Sequence, residues 1–358
     1  MGTVKLALRI GISLAVSAVL IFFSLRHVEL RTLATVIATA DPRPVLGYLA
    51  ILLVVHLVKT VRWGLLLAPV GHVGFRRLNS ASAIGFMLMV LLPLRLGELA
   101  RPLLVSRPGA GDGPPLRRSG ALASCVVERI VDSIAMGVLA IVSLRLLATT
   151  GKAAEFTRHA AVVVTAAFAL LCVALVFAFF MRDRAVTLLR RALSPLSGRI
   201  ADRGARLLDG FILGLHLGSF GRVLAFLVLT ALYWALHVWG FWMVAGAFGL
   251  RLSGLMACTV LACQVVGIMI PAGPGMVGTN QFFTQLGVSI FVPGAFAIPD
   301  VAARAAAYAN TIWALQFGQQ VLTGLAFLIA GKVSLAGLFK AVEDRPPSPS
   351  DESESSMA

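Results

Sequence analysis

The segment LLPLRLGELARPLLV, residues 91–105, places charged and helix-breaking residues within an apolar run. Arg95, Glu98 and Arg101 carry the charge, and a proline and Gly97 interrupt the helical pattern. Charged groups at membrane depth are costly and usually face a protein interior or a water-filled cavity. Arginines beside a helix that begins near Gly97, where backbone N–H groups lack partners, would bind an anion such as a lipid phosphate.

The segment IPAGPGMVG, residues 270–278, interrupts a second apolar run in a similar way. Both segments follow the pattern apolar-Pro-x-x-x-Gly, so that Pro93 matches Pro271 and Gly97 matches Gly275. A half-helix that begins after this break would again direct N–H groups at it. The candidate ligand-binding residues here are Pro271, Pro274, Gly275, Gly278 and Asn280. The alternative is that proline and glycine merely kink two ordinary spans.

The motif ERIVD supplies a further charged group at the start of another apolar run. Glu128 and Asp132 are four residues apart and share a helix face, whereas Arg129 is turned about 100° away. We expect Arg129 or Arg95 to pair with Glu98, and Glu128 and Asp132 to face the same cavity. The alternative places these residues at the cytoplasmic interface, where they would only anchor the helix.

Two other apolar runs carry candidate charges. Lys59 lies about 12 Å from the end of its predicted span at 1.5 Å per residue, so it is the candidate binding residue there. We expect Arg62 to extend to the lipid headgroups and Trp63 to join the aromatic belt. Arg304, at the start of the last span, either faces the second broken segment or anchors the helix at the interface.

The composition predicts that these residues lie in a helical membrane protein. Of 358 residues, 58% are hydrophobic and 13% are charged, and the mean hydropathy is +0.90. Soluble domains are about 45–50% apolar and about 25% charged. The net charge is +15, and the basic residues lie in the loops between the apolar runs. This position indicates that they bind lipid headgroups rather than nucleic acid. Scattered cysteines and histidines predict neither a disulfide nor a metal site, and we expect no cofactor.

The apolar runs predict an all-α polytopic membrane protein with about six full spans and two re-entrant helical hairpins related as inverted repeats. The predicted full spans are 7–25, 45–67, 121–147, 158–181, 222–248 and 303–330, and the broken runs are 80–105 and 254–290. Basic loops should be cytoplasmic, which places both termini inside. Loop counting then requires 80–105 to enter and return from the cytoplasm, and 254–290 from the other side.

The predicted transmembrane domain covers residues 1–335. Its two halves, about 1–181 and 222–335, are joined by a linker, 182–221, in which leucines and arginines alternate at near-helical spacing. This linker is expected to lie on the inner membrane surface as amphipathic helices. The acidic, Pro/Ser-rich tail 343–358 is expected to be disordered.

Four motifs in order resemble the transmembrane, flippase-like part of lysylphosphatidylglycerol synthases. They are Pro-x-Arg-x-Gly-Glu-x-x-Arg at 93–101, Glu-Arg-x-x-Asp at 128–132, Arg-Trp at 62–63 and Pro-Gly-x-x-Gly at 274–278. The resemblance covers about residues 5–330. It implies a multi-pass protein of the bacterial inner membrane that moves a phospholipid or polyprenyl-phosphate lipid between leaflets. A partner enzyme would supply the lipid substrate.

The sequence departs from that family in two respects. No soluble aminoacyl-transfer domain follows the last span, so we expect no synthase activity. Met276 and Gln281 stand where the family often has a glycine and an acid, which argues against a lysylated lipid as substrate. The alternatives to a translocase are a membrane-embedded lipid-modifying enzyme and a non-transporting partner of one, although metal-ligand and nucleophile motifs are missing.

Overall fold

The computed structural model describes two blocks of helices. The described residues are 2–92, 97, 100–106, 116, 118–147, 219–270 and 272–331, together with 187, 190, 191, 198 and 202. The helices are α1 (Gly2–Leu25), α2 (Leu30–Thr39), α3 (Pro42–Leu67), α4 (Phe75–Leu91), α5 (Ala100–Val105), α6 (Arg118–Leu147), α7 (Phe220–Ala247), α8 (Gly254–Ile268), α9 (Thr279–Ser289) and α10 (Pro299–Ala330). Within the described part there is no strand, which confirms the all-α class.

Three of these helices are long and apolar enough to cross a membrane: α3, α7 and α10. Residues 11–25 of α1 and helix α2 lie at 77° to each other. If this bent pair is counted as one span, there are four. Helix α2 lies between the first two predicted spans, where the sequence predicted no helix. The full count of six spans stays a prediction, since 158–181 lies outside the described residues.

Local sequence signals explain where several helices begin. Asp41 accepts a hydrogen bond from the Arg43 N–H, and Pro42 occupies the first helical position of α3. The Ser219 hydroxyl accepts from the Arg222 N–H at the start of α7. These caps satisfy backbone donors that would otherwise be unpaired at a helix end.

Helices α4 and α5 form an antiparallel hairpin around the first break. The backbone at Gly97 lies against Leu88, where an added Cβ would come within 2.2 Å of the Leu88 carbonyl carbon. Further from the tip, a Cβ at Gly85 would lie 3.3 Å from the Arg101 Cα. Gly97 thus lies near Leu88, and the later residue Arg101 lies near the earlier residue Gly85. The two helices therefore run in opposite directions.

Helices α8 and α9 form the second antiparallel hairpin. Gly267 packs against Phe283, and Gly287 packs against Val260, so residue numbers again run in opposite directions. The turn between the helices contains a 3-10 segment, Pro274–Met276. The structure therefore folds both predicted breaks as helical hairpins, while their re-entry into a membrane and their relation as inverted repeats stay predictions.

The tips of the two hairpins meet. A cavity of about 100 Å³ lies between them, and its lining comes from both hairpins: Met89, Val90 and Leu92 of the first, and Ile268, Met269, Ile270, Ala272, Gly273, Gly275 and Met276 of the second. Helix α10 packs along both α4 and α9, and α3 packs against α4, α6 and α7. Helix α10 therefore holds the two hairpins against each other.

Two predicted segments lie largely or wholly outside this description. Of the linker 182–221, residues 187, 190, 191, 198 and 202 are described as helical, α7 begins at its end, and Arg190 pairs with Asp202 at 2.6 Å. The tail 343–358 lies outside the described residues.

Candidate functional site

A chain of four alternating charges joins three helices beside the first hairpin. Arg62 of α3 donates from Nη2 to the Asp132 Oδ2 at 2.9 Å and from Nη1 to the other oxygen of the same carboxylate. Its Nη2 also donates to the Glu128 Oε1 at 2.9 Å. Arg101 of α5 donates to the second Glu128 oxygen at 2.8 Å. Two positive and two negative charges therefore compensate one another within the protein.

The arginines of this ion-pair chain are buried, contrary to one prediction. Arg62 and Trp63 are both 0% exposed, so the expectation that they reach the headgroups and the aromatic belt was wrong. The Trp63 indole instead donates to the Ser124 hydroxyl at 3.0 Å and lies under the Arg101 guanidinium, 4.3 Å from its centre. The two carboxylates on α6 stabilise the buried Arg62, because they neutralise its charge and accept its hydrogen bonds.

A polar cavity of about 150 Å³ lies next to the ion-pair chain, between α3, α6, α7, the two hairpins and α10. Its polar lining residues are His56, Lys59, Arg129, Tyr233, His237, Gln264, Asn280, Trp313, Gln316, Gln319 and Gln320. A lining with so many polar groups suits a headgroup rather than an acyl chain, because burying polar groups against hydrocarbon is costly.

Lys59 supplies the central charge of this cavity. Its ammonium lies 4.0 Å from the centre of the Phe86 ring and 5.6 Å from that of Tyr233. Among the described residues no carboxylate comes within ion-pair distance of it. Arg129 also lines the cavity and donates to the Met89 sulfur at 3.2 Å. The described lining thus holds two cations and no carboxylate.

The turn of the second hairpin forms one wall of the cavity. Gly275 adopts φ 74°, and its carbonyl accepts a hydrogen bond from the Trp313 indole of α10 at 2.8 Å. Gly278, at φ 88°, precedes α9 and lies against the Ser17 carbonyl, where an added Cβ would come within 2.4 Å. The buried Gln281 side chain accepts from the Gly278 N–H at 2.8 Å, so this amide caps α9 and does not line the cavity.

Comparison with known families places these features in a known group. A family model described as "Lysylphosphatidylglycerol synthase TM region" matches residues 10–338. The chain belongs to this family. Comparisons with curated proteins and with solved structures gave no match. The resemblance drawn from the four motifs is confirmed, and the family together with the long apolar helices makes this chain a membrane protein related to lipid handling.

Within this member of the lysylphosphatidylglycerol synthase TM family, the predicted site residues divide into groups. Lys59, Arg129, Gly275 and Asn280 line the cavity. Arg101, Glu128 and Asp132 belong to the ion-pair chain instead, so the expectation that both carboxylates face the cavity does not hold. Arg95, Glu98 and Pro271 lie outside the described residues, so the predicted pairing of Glu98 with Arg129 or Arg95 stays a prediction.

The remaining predicted residues have structural positions. Gly97 and Gly278 permit close backbone packing at the two hairpin tips. Pro274 begins the 3-10 turn and is exposed. Arg304 is exposed and its Nη1 lies near Gly249, in the loop that follows α7, rather than at the cavity.

Sequence reasoning missed the four glutamines of the cavity. Gln316, Gln319 and Gln320 recur at helical spacing on the otherwise apolar α10, and Gln264 stands alone in the apolar α8. This spacing places the three α10 glutamines on one face of that helix. Uncharged polar residues on one face of an apolar helix therefore indicate a polar cavity, although less strongly than charged residues do.

Proposed function

We propose that this protein moves a lipid with a phosphate-bearing headgroup, either a phospholipid or a polyprenyl-phosphate lipid, between the leaflets of the bacterial inner membrane. The observation that carries this proposal is the cavity between the hairpins, whose described lining contains Lys59 and Arg129 and no carboxylate. A cavity with these two cations favours an anionic headgroup, while the acyl chains stay in the bilayer.

The environment of the Lys59 ammonium group supports this proposal. An ammonium group has three donors, and the described protein offers this one only aromatic faces. Glu128 and Asp132 are paired with arginines and act on Lys59 only from beyond ion-pair distance, so a bound anion in direct contact would stabilise the site. Arg101 is not free for this role, because Glu128 already neutralises it.

The lengths of the hairpin helices support re-entry into the membrane. Helix α4 has 17 residues and α8 has 15, which correspond to about 25 Å and about 22 Å at 1.5 Å per residue. A span across the roughly 30 Å hydrocarbon core needs about 20 residues. Two short hairpins that meet tip to tip fit entry from opposite faces, as inverted repeats in a protein of six spans with both termini cytoplasmic. Broken helices around a central site are typical of transporters.

The proposed activity contains no covalent step. The described residues include no group of histidine, cysteine, aspartate or glutamate side chains that would hold a metal ion. The sequence has no G-x-x-x-x-G-K-[ST] motif for ATP, so a lipid or ion gradient would drive the movement. A partner enzyme that makes the lipid would supply the substrate.

Lipid exchange in liposomes tests the proposal. Purified protein is reconstituted with phosphatidylglycerol carrying a fluorescent acyl chain, and dithionite quenches the label in the outer leaflet. The wild type should expose the inner pool, and Lys59→Gln should slow this exposure by about tenfold or more, because a charge-assisted hydrogen bond contributes about 1.5–3 kcal/mol. Arg304→Gln removes an exposed arginine away from the cavity and should match the wild type. Exchange no faster than in protein-free liposomes would contradict the proposal.

A further inference from the structure

The cavity contains a second set of polar groups besides its cations. Five carboxamide side chains line it: Gln264 of α8, Asn280 of α9, and Gln316, Gln319 and Gln320 of α10. Gln264 and Asn280 are 2% and 6% exposed. So many amides at one buried surface need a chemical explanation, because neither an anion nor a hydrocarbon chain requires them.

The amides are held in place by one another. The Gln264 Nε2 donates to the Asn280 Oδ1 at 3.0 Å and to the Gln316 Oε1 at 3.3 Å. Gln316 in turn donates to the Tyr48 hydroxyl at 2.9 Å. The network joins α3, α8, α9 and α10, so the positions of these side chains are fixed by the packing of four helices.

The network leaves polar atoms available to a ligand. In the described part of the chain, neither the Asn280 Nδ2 nor the Gln264 Oε1 has a hydrogen-bond partner. Both side chains are more than nine-tenths buried, and both line the cavity. Because both side chains line the cavity, these atoms can bond a group in it that both donates and accepts.

Hydroxyl groups meet that requirement. A hydroxyl donates and accepts, as a carboxamide does, whereas a phosphate oxygen only accepts and an ammonium group only donates. The same cavity offers the stacked rings of Trp313 and Phe317, whose centres are 5.3 Å apart, as an apolar surface for the C–H groups of such a ligand.

We propose that the amide set binds a hydroxyl-rich headgroup, a sugar or other polyol, while Lys59 and Arg129 bind the phosphate that links it to the lipid. The inference rests on the proposed function and names its substrate class. The site would then select a polyol phosphodiester over a phosphodiester without hydroxyl groups and over a cationic headgroup.

Binding of two matched lipids tests the proposal. Phosphatidylinositol and phosphatidylethanol with identical acyl chains carry the same phosphodiester charge and differ in the polyol. Titration of the purified protein in detergent, followed by native mass spectrometry, should show at least about tenfold tighter binding of phosphatidylinositol, since one such hydrogen bond contributes about 1.4 kcal/mol. Equal affinity of the wild type for the two lipids would overturn the amide assignment.

Variants separate this inference from the proposed function. Asn280→Leu should reduce phosphatidylinositol binding to the level of phosphatidylethanol and leave phosphatidylethanol unchanged. Gln320→Leu removes a less buried amide of the same set and should act in the same direction if Asn280→Leu fails to fold. Asn310→Leu, on α10 but outside the cavity lining, is the matched control and should keep the preference. Unaltered preference in both cavity variants would contradict the proposal.

Lys59→Gln should weaken the binding of both lipids by a similar factor. Absence of a polyol preference in the wild type, with phosphatidylglycerol exchange still observed, counts against the amide site alone. Absence of exchange in the wild type counts against the proposed function itself.

Discussion

Two cations three residues apart on α3 have different environments. Arg62 is 0% exposed and is neutralised by Glu128 and Asp132, whereas Lys59 faces the cavity among aromatic rings. A planar guanidinium that binds two carboxylates suits a structural role, and a compact ammonium with three donors suits a transient anion. The difference assigns stability to Arg62 and ligand binding to Lys59.

Glu128→Gln should destabilise the protein strongly. It weakens two buried ion pairs at once and leaves Arg62 and Arg101 undercompensated, and breaking a buried pair costs about 3–5 kcal/mol. Thermal unfolding in detergent measures the effect. Glu29→Gln, at an exposed glutamate, is the matched control and should change stability by less than about 0.5 kcal/mol. Equal unfolding temperatures for the two variants would show that the ion-pair chain does not stabilise the fold.

Met276→Gly should stabilise the second hairpin slightly. Met276 adopts φ 53°, a left-handed conformation that costs a side-chain-bearing residue roughly 1–2 kcal/mol. Glycine removes that strain but costs about 0.5–1 kcal/mol in conformational entropy. We expect a net rise in unfolding temperature of about 2 °C.

A methionine in ordinary geometry provides the control for that substitution. Met269 has φ −76° and is exposed, so Met269→Gly adds only the entropy cost and should lower the unfolding temperature. The two substitutions should therefore shift stability in opposite directions. A shift of the same sign in both would contradict the strain assigned to Met276.

At the scale of elements, the tip of the first hairpin depends on a glycine. A Cβ at Gly97 would lie 2.2 Å from the Leu88 carbonyl carbon and the Met89 nitrogen, and a backbone cannot yield as a flexible side chain can. Gly97→Ala should therefore destabilise the protein by about 1–3 kcal/mol or more, measured by thermal unfolding. Gly318→Ala in α10 adds the same methyl group in open space and should be neutral or stabilising. A neutral Gly97→Ala variant would disprove the close approach of the tip to α4.

The helices were largely predictable from the sequence, and short elements were not. Continuous apolar runs located α3, α7 and α10, and proline with glycine located both hairpin turns, because hydrophobic length and backbone geometry are local properties. Helix α2 was missed because ten residues are too few for a hydropathy signal. Its position depends on contacts with α10, which no local pattern reveals.

The site was less predictable than the helices because its contacts are long-range. Glu128 and Asp132 share a helix face as expected, but their partner Arg62 is 66 and 70 residues away in sequence. The sequence predicted Arg101 as an anion-binding residue, but the structure pairs it with Glu128, which is 27 residues away in sequence. Charge alone marks which residues matter in a membrane, whereas tertiary packing decides which of them remain available.

At the scale of the whole molecule, the two hairpins should be accessible from opposite sides of the membrane. The loop before α4 contains His72 and the loop before α8 contains Arg251, and both side chains are exposed. In spheroplasts, a membrane-impermeant maleimide should label Arg251→Cys but not His72→Cys. Both should react after permeabilisation, and the wild type controls for the native cysteines. Labelling of both variants in intact spheroplasts would contradict entry from opposite faces.

The central claim is that the charge of the cavity selects the headgroup that crosses, and charge reversal at one residue measures this most directly. Exchange rates of labelled phosphatidylglycerol and of a labelled trimethylammonium lipid are compared in liposomes containing wild type or Lys59→Glu. We predict that the wild type favours the anionic lipid and that Lys59→Glu lowers the ratio of anionic to cationic exchange by at least about tenfold, as one charge-assisted contact is lost. An unchanged ratio in folded Lys59→Glu protein would contradict the claim, because the headgroup would then cross without contacting the cavity.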